Sequence, residues 1–291
     1  FCAAAFLLGA NNAVVMQYRF AAVEYVAPSR ASRAIATVMS GALVAAWLGP
    51  EIAVRAANVV TGAHYAGSFF AGTGLYLVAA ILLARIPDSA PPDAADTRPP
   101  RSLREIAAQP LFRVAVLAAL VSYAVMSFVM TATPISMHVM DGHGEVATAR
   151  VIQVHLLAMY LPSLASGFII SRFGDLPVIV AGTVLVIVCV VIAAFAGHAV
   201  LHYGSALLLL GVGWNLMFIA ATTLLTTTYR PHERVQAQTL NDFLVFGAQA
   251  TASLMAGLAL ATIGWKLLNL ATLPLLVAVL ASVVFLRRPA T

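Results

Sequence analysis

Long apolar stretches alternate with short polar breaks along the chain. Nine stretches of 20 to 26 residues are predominantly apolar, at 2–26, 34–54, 65–84, 111–133, 151–170, 177–197, 204–227, 238–263 and 267–286. An α-helix needs about 20 apolar residues to cross the hydrocarbon core of a bilayer. A barrel strand would have about ten residues of alternating polarity. The pattern therefore predicts an all-α, polytopic membrane protein with nine transmembrane helices.

The composition narrows the class of protein further. Of the 291 residues, 62% are hydrophobic and 9% are charged, whereas soluble domains are about half apolar and about a quarter charged. So few charges cannot cover a water-facing surface, which excludes a soluble enzyme, a nucleic-acid-binding module and a disordered tail. The net charge of +5 is then best explained by basic cytoplasmic loops.

The basic residues are distributed unevenly among the loops, and this predicts the orientation. Twelve of the 16 follow odd-numbered spans, namely Arg30, Arg33, Arg85, Arg98, Arg101, Arg104, Arg113, Arg172, Arg230, Arg234, Arg287 and Arg288. Only Arg55, Arg150 and Lys266 follow even-numbered spans. The positive-inside rule places the C-terminus in the cytoplasm and residue 1 outside. We expect a nine-span chain that enters from outside, without a starting Met, to lack an odd number of upstream spans.

The longest polar break separates three spans from six. Residues 85–110 are rich in Pro and Asp, which predicts a flexible linker that ends in a short amphipathic stretch at 102–109. The expected division is therefore residues 1–85 as the remainder of an N-terminal bundle of three helices, 86–110 as a cytoplasmic linker, and 111–291 as a C-terminal six-helix bundle.

Two segments of the chain echo each other at an offset of 203 residues. Segments 12–34 and 215–237 each run from an intramembrane Asn through an apolar helix to a Pro, which follows the Asn by 16 positions, and then to a basic, polar turn. Parallel repeats of this kind are typical of transporters built from two similar bundles.

The sequence at 166–175, SGFIISRFGD, resembles the second copy of the cytoplasmic motif Gly-x-x-x-Asp-Arg-x-Gly of the major facilitator superfamily. Gly167, Arg172 and Gly174 match this motif, and Ser171 replaces its Asp. The resemblance covers family helices four to twelve. It implies a two-bundle fold that lacks its first three transmembrane helices here.

Two further segments carry the resemblance. The sequence WLGP at 47–50 resembles the Gly-Pro motif of family helix five, common in proton-coupled antiporters, although Ala53 and Val54 replace its closing glycines. Gly9 and Ala13 fit the helix-four motif, whose Arg is absent at Ala5. The segments QYRFAAVE (17–24) and AQTLNDF (237–243) are similar to a bacterial subgroup that includes proposed riboflavin carriers.

The resemblance also sets expectations for the protein in the cell. It implies secondary active transport of a small organic solute by alternating access, with proton coupling, in the bacterial cytoplasmic membrane. It further implies a full-length monomer that needs no cofactor and is not an enzyme. Its partners would be the lipid bilayer and a small-molecule substrate, without nucleic acid.

Polar side chains inside the spans are the candidate substrate-binding residues, because such groups are costly in a bilayer and usually face a bundle interior. Arg19 lies about 10 Å from the inner end of its span, at a rise of about 1.5 Å per residue, on one helical stripe with Asn12. It is predicted either to contact an anionic or carbonyl group of the substrate, or to snorkel inward or pair with Glu24.

The resemblance adds candidates on other helices. It implies a cavity lined by family helices one, four, seven and ten, which favours the helices of Arg19, Tyr123 and Asn215. The remaining members of the predicted substrate site are Trp214 and Gln249. Asn215 also mirrors Asn12 in the echo.

Five residues are candidates for coupling or gating: Glu24, Glu51, His155, Arg172 and Asp242. Glu24 is expected in a charge cluster of an inner gate, close to Arg30 and Arg33 in sequence. Asp242 lies near a helix N-terminus, where a carboxylate complements the helix dipole. The resemblance implies an inner-gate latch for Asp242, ahead of proton coupling.

The other coupling candidates each have a structural alternative. Glu51 precedes Arg55 by four residues, so an ion pair on one helix face competes with a protonatable carboxylate beside the Gly-Pro motif. His155 suits proton coupling or a neutral place in the core. Arg172 is a candidate through the cytoplasmic motif.

Other chemistry is not indicated. The sequence has no Gly-rich phosphate loop, zinc-protease motif, paired cysteines or nucleophile elbow. His138 and His143 flank Asp141 in an outer loop, where exposed loop histidines are favoured over a metal site.

Two function classes remain. The first is the transporter, and the second is a non-transporting membrane sensor or assembly subunit. A water-accessible channel lined by Arg19, Tyr123 and Asn215 would favour the transporter, whereas a tightly packed centre would favour the alternative.

Overall fold

A computed structural model describes residues 2–56, 58–62, 66–87 and 99–287. In these ranges the regular structure is helical and contains no strand. The α-helices are α1 (Cys2–Glu24), α2 (Ala31–Ala56), α3 (Ala66–Leu83), α4 (Leu103–Ala108), α5 (Pro110–Pro134), α6 (Glu145–Tyr160), α7 (Ser163–Phe173), α8 (Asp175–Phe195), α9 (Val200–Thr226), α10 (Arg234–Leu270) and α11 (Leu273–Arg287). Short 3₁₀ turns at Pro28–Arg30 and Pro231–Glu233 precede α2 and α10, and a π-helical turn at Ile135–Met140 follows α5.

Seven helical segments of the described residues are long and apolar enough to cross a membrane. The segment Pro231–Leu286 has 56 residues, more than the roughly 20 that one crossing needs. Its backbone leaves the helical conformation at Gly264, with φ 73° and ψ 171°, and α10 and α11 meet at a turn after Leu270. This segment therefore contains the last two predicted spans.

The structure departs from the predicted spans in two places. The first, α1, has 23 residues but is not among the seven segments, and it carries Asn12, Gln17 and Arg19. The fifth is divided into α6 and α7 around Pro162, because proline has no N–H to continue the helical ladder. Membrane crossing by all nine predicted spans remains a prediction.

Helices α5 to α11 pack around a buried core, with α9 in contact with α5, α6 and α8. Glycines permit these close approaches. A Cβ at Gly182 would lie 2.7 Å from the carbonyl oxygen of Gly213, and one at Gly211 would lie 2.8 Å from that of His155. The sequence thus allows α8 and α6 to lie directly against the α9 backbone.

Helix α2 connects the first three helices to the others. It contacts α1 and α3, and it also contacts α6, α7 and α9. Large side chains of α3, such as Phe69 and Phe70, are exposed.

The amphipathic stretch predicted at 102–109 forms helix α4 and its caps. The Ser102 hydroxyl accepts a hydrogen bond from the Glu105 backbone N–H at 3.3 Å, and the Ser102 backbone N–H donates to the Glu105 carboxylate at 2.6 Å. Hydrogen bonds from the hydroxyl and N–H of Ser102 hold the pKa of the Glu105 carboxyl below its ordinary value. Ile106 is fully buried and anchors this helix.

The two ends of the helix bundle differ in their side chains. We call one the basic end, where α1 ends and α2 and α10 begin; it carries Arg30, Arg33, Arg101, Arg230 and Arg234. We call the other the histidine end; it carries His138, His143, His198 and His202.

Candidate functional site

A buried ion pair joins α1 to α10. The Nη2 of Arg19 lies 2.5 Å from Oδ1 of Asp242, and the two residues are 1% and 8% exposed. Gln17 donates to the other carboxylate oxygen at 2.5 Å, and Asn241 donates to Oδ1 at 2.9 Å. Both oxygens of Asp242 are thus hydrogen-bonded, and the charge of Arg19 is matched inside the protein. Arg19 neither reaches the surface nor uses Glu24 as its partner.

Aromatic rings surround the Arg19 guanidinium. Its Cζ lies 4.5 Å from the ring centroid of Phe20, 4.8 Å from that of Phe218 and 6.0 Å from that of Phe246. Such contacts favour a cation electrostatically, and more strongly when it is desolvated. Among the described residues, Nε of Arg19 has no hydrogen-bond partner.

An aromatic cluster, consisting of Tyr123, Trp214, Phe218 and Phe246, continues from this cation. Tyr123 makes edge-to-face contacts with the other three rings at centroid distances of 4.8 to 5.6 Å. Trp214 and Phe218 stack at 5.3 Å. The indole N–H of Trp214 is buried and has no acceptor in the described part of the chain. Helices α1, α5, α9 and α10 therefore meet at one cation and four rings.

Asn215 and His155 make their hydrogen bonds among α6, α7 and α9. The side-chain amide of Asn215 donates to the carbonyl of Met159 at 2.7 Å and to the hydroxyl of Ser163 at 2.6 Å, across the break between α6 and α7. His155 is buried, and its Nδ1 lies 2.8 Å from the carbonyl of Leu207. Both contacts fasten α9 to its neighbours.

The remaining predicted site residues lie apart from this centre. Asn12 is exposed on α1, Gln249 is half-buried on α10, and Arg172 is exposed at the end of α7. The Arg172 guanidinium lies 5.9 Å from the ring of Phe173. The side chain of Glu51 is outside the described part of the structure.

A second ion pair joins α1 and α10 at the basic end. Nη1 of Arg234 lies 2.6 Å from Oε1 of Glu24, and both side chains are partly exposed, at 33% and 26%. This pair lies in the first turn of α10, and Asp242 lies about two turns further along the same helix. Glu24, predicted in a charge cluster with Arg30 and Arg33, is thus paired with an arginine distant in sequence.

Helices α2 and α7 make close contact at the basic end. A Cβ at Gly167 would lie 2.8 Å from Cα of Arg33, 2.9 Å from Cβ of Ala36 and 2.9 Å from the carbonyl oxygen of Ser32. The Ser32 hydroxyl also donates to the carbonyl of Gly167 at 3.0 Å. Only glycine permits this contact without moving a backbone.

A cavity of about 850 Å³ lies between α2 and α6 at the histidine end. We call it the cleft; its lining residues are Ala46, Pro134, Ile135, His138, Val139, Glu145, Val146, Thr148, Ala149, Arg150, Ile152, Gln153 and Leu156. A smaller cavity of about 420 Å³ lies beside α1 and α10, where Gln17 and Gln238 line it.

The centre itself is packed. Arg19, Tyr123 and Asn215 are 1%, 5% and 0% exposed, so they do not line an open channel in this conformation. A packed centre is the feature expected of a non-transporting sensor. Similarity to known proteins is therefore needed to distinguish the transporter from the sensor.

Several contacts that complete the site were not predicted. Gln17, Phe218, Phe246 and Arg234 all touch a predicted residue. Phe218 follows Trp214 by four positions, so helical spacing could have indicated it. The sequence identifies Arg234 only as a loop charge, because its partner Glu24 lies more than 200 positions away.

The sequence model of a protein family, the Major Facilitator Superfamily, matches residues 1–253 of this chain. The riboflavin transporter RfnT of Brucella anthropi is 38% identical over 99% of this chain and 73% of its own length. The uncharacterized MFS-type transporter YdeG of Bacillus subtilis is 34% identical over 50% of this chain and 34% of its own length.

A crystal structure of a bacterial homologue of the iron transporter ferroportin, in an outward-facing state, has a similar fold. It matches with a TM-score of 0.61 and 16% identity, and the match covers 90% of this chain and 65% of that one. This chain belongs to the Major Facilitator Superfamily of membrane transporters.

Proposed function

We propose that this protein is a secondary active transporter that moves riboflavin or a related flavin across the bacterial cytoplasmic membrane by alternating access. The 38% identity to a riboflavin transporter over 99% of the chain carries this proposal. Residues 1–85 and 111–291 would belong to its two moving bundles, joined by the linker 86–110.

The chemistry of the centre supports a flavin as the substrate. The isoalloxazine ring of a flavin is planar and aromatic, with carbonyl oxygens at its edge. Aromatic side chains favour offset or edge-to-face contacts with such a ring. The Nε of Arg19 and the indole N–H of Trp214, both buried without acceptors among the described residues, are suitable donors to its carbonyls.

The packed centre is compatible with transport if the described conformation is one state of the cycle. The positive-inside rule assigns the basic end to the cytoplasm. The protein would then be closed on the cytoplasmic side, through the pairs Arg19–Asp242 and Glu24–Arg234, and open outside at the cleft. Rocking of the bundles would separate both ion pairs and expose the aromatic cluster to the cytoplasm.

Asp242 is our candidate for the coupling group as well as for the inner latch. Its carboxylate accepts from Gln17, which lines the cavity beside α1 and α10, so that cavity offers a route for a proton. Protonation would remove the charge that binds Arg19 and would favour separation of α1 from α10.

The test is riboflavin flux through the full-length protein in proteoliposomes, measured in both directions with and without an imposed pH gradient. We expect saturable riboflavin movement, accumulation that follows the pH gradient, and no movement of a sugar used as a control. Asp242→Asn should abolish accumulation while riboflavin exchange persists. Movement of other solutes but not of flavins would exclude the proposed substrate, and flux insensitive to every ion gradient would exclude coupling.

A further inference from the structure

The carboxylate of Glu233 is the centre of a hydrogen-bonded cluster at the basic end. Its side chain is fully buried, although it lies in a polar turn. Oε1 accepts from the backbone N–H of Arg101 and from its Nε, both at 2.9 Å. Oε2 accepts from Nη2 of Arg101 at 2.6 Å and from the backbone N–H of Arg230 at 2.9 Å. Four donors therefore hold one buried charge.

This cluster fixes the segment that precedes α5 onto the turn that precedes α10. We call residues 99–109 the strap. Nη2 of Arg101 also donates to the carbonyl of Thr228 at 3.1 Å, and the side chain of Gln109 donates to the same carbonyl at 3.0 Å. Nη1 of Arg230 donates back to the carbonyl of Pro99 at 3.3 Å. Both ends of the strap are thus fastened to residues 228–233.

The residue after Glu233 forms the outermost ion pair between α1 and α10. Glu233 closes the 3₁₀ turn Pro231–Glu233 by accepting from the N–H of Arg230. Helix α10 begins at Arg234, whose guanidinium lies 2.6 Å from Glu24. The conformation of this turn therefore determines where the Arg234 side chain leaves α10.

We propose that Glu233 is a positioning residue for the cytoplasmic gate: with Arg101 of the strap, it holds the turn that presents Arg234 to Glu24. The strap is then a fixed bracket of the C-terminal bundle that favours the state closed at the basic end. This inference rests on the assignment of the Glu24–Arg234 pair as a gate under the proposed function.

Arg101, and not the neighbouring His232, is the main partner of the Glu233 carboxylate. His232 Nε2 lies 3.9 Å from Oε1, beyond hydrogen-bonding distance, whereas Arg101 engages both carboxylate oxygens. A planar guanidinium suits such a two-pronged contact, and lysine cannot reproduce it. Arg101→Lys is therefore a variant that keeps the charge and removes the fork.

The test uses a cysteine that reports opening at the basic end. Ser32→Cys is close to isosteric and lies at the buried contact with Gly167, so a maleimide should react only when α2 and α7 separate. Labelling rates are compared for Glu233→Gln, Glu24→Gln and the double variant, with Cys2 and Cys189 replaced by Ala. Glu105→Gln is the matched control, because its carboxylate lies in the same strap and binds Ser102.

We expect Glu233→Gln and Glu24→Gln each to raise the labelling rate between about 1.5- and fivefold, the range for a partly exposed ion pair. The double variant should label no faster than Glu24→Gln alone, since a residue that acts through a pair has no effect once the pair is gone. Arg101→Lys should raise the rate less than Glu233→Gln, and Glu105→Gln should leave it unchanged.

Additive effects of Glu233→Gln and Glu24→Gln would overturn the proposal and leave Glu233 a purely structural residue. An unchanged rate in Glu233→Gln would also overturn it. If Glu233→Gln does not fold, the same cycle with Arg101→Lys decides between these outcomes. The labelling needs no substrate, so failure of flavin transport and failure of this inference are separate results.

Discussion

The basic end and the histidine end form opposite ends of one helix interface. At the basic end, α1 and α2 contact α7 and α10 through two ion pairs and the Ser32–Gly167 contact. At the histidine end, the cleft of about 850 Å³ is lined by α6, by the turn after α5 and by Ala46 of α2. Helix α2 is thus tightly packed at Ser32 and borders open space at Ala46. Under the proposed alternating access, closure of the basic end would depend on these few contacts.

The polar contacts at the two ends also differ in what they connect. At the histidine end, Asp141 accepts from the hydroxyl of Tyr203 at 2.7 Å and lies 2.8 Å from Nδ1 of His198. Ser136 lies 2.6 Å from the same hydroxyl. This network connects the loops around α5, α8 and α9 to one another. The ion pairs at the basic end instead cross between α1 and α10, so they can break when those helices separate.

Among substitutions at the two ends, the largest effect on stability is expected at the buried ion pair Arg19–Asp242. Arg19→Leu leaves Asp242 as a buried charge without its cation, which costs about 3–5 kcal/mol in the free energy of unfolding. Replacing both residues by Leu removes the uncompensated charge as well, so the double variant should be more stable than either single variant. Unfolding in detergent, followed by helical circular dichroism, measures the difference.

Transport measurements distinguish two possible roles of Arg19, which are contact with the flavin and charge balance for Asp242. If Arg19 contacts the flavin, the double Leu variant recovers stability but loses the riboflavin exchange that is expected to persist in Asp242→Asn. Exchange that recovers together with stability would mean that Arg19 only balances the charge of Asp242. A double variant less stable than both single variants would contradict the ion pair itself.

The next largest effect is expected at the contact between α2 and α7. Gly167→Leu places a side chain where only 2.8 Å separates a Cβ from the Arg33 backbone, and overpacking costs about 1–3 kcal/mol. This clash destabilises the state that is closed at the basic end. The population should therefore shift toward the state in which the cleft is closed. A cysteine at Gln153, which lines the cleft, should then label more slowly.

Gly257→Leu is the control for this substitution. A Cβ at Gly257 meets no atom within 4 Å, so the labelling of Gln153→Cys should stay close to that of the parent. Equal labelling in the Gly167 and Gly257 variants would show that the glycine contact does not control closure.

The sequence predicted the helices better than it predicted their contacts. Apolar runs predicted the separation of the last two spans at 263–267, and the structure bends at Gly264. The apolar pattern does not predict the break at Pro162, because the residues on both sides of it are apolar. Hydropathy reports the lipid environment of a span, and it contains little information on where a helix bends inside it.

Partners across the interface could not be predicted from spacing. The ion pair of Arg19 joins residues 223 positions apart, whereas the sequence offered Glu24 only five positions away. The repeat that relates Asn12 to Asn215 does not predict burial either, because Asn12 is exposed and Asn215 is buried. Burial depends on which helices lie against a residue, and a single sequence does not specify that.

The smallest effect on stability is expected from filling the cleft. Ala46 is half-buried and lines the cleft from α2, so Ala46→Phe places a ring in space that is open in this state. The free energy of unfolding should change by less than about 0.5 kcal/mol, as for other substitutions without a new clash. The state closed at the histidine end, however, would have to accommodate the ring.

Ala46→Phe should therefore act on the reporters in the opposite direction to Gly167→Leu. Labelling of Ser32→Cys should slow, because the proposed alternating access couples opening of the basic end to closure of the cleft. Riboflavin flux should fall in kcat more than in KM. Val44→Phe is the control, since Val44 is exposed on the same helix and does not line the cleft. If Ala46→Phe accelerated Ser32→Cys labelling, the two ends could not be alternately closed parts of one interface.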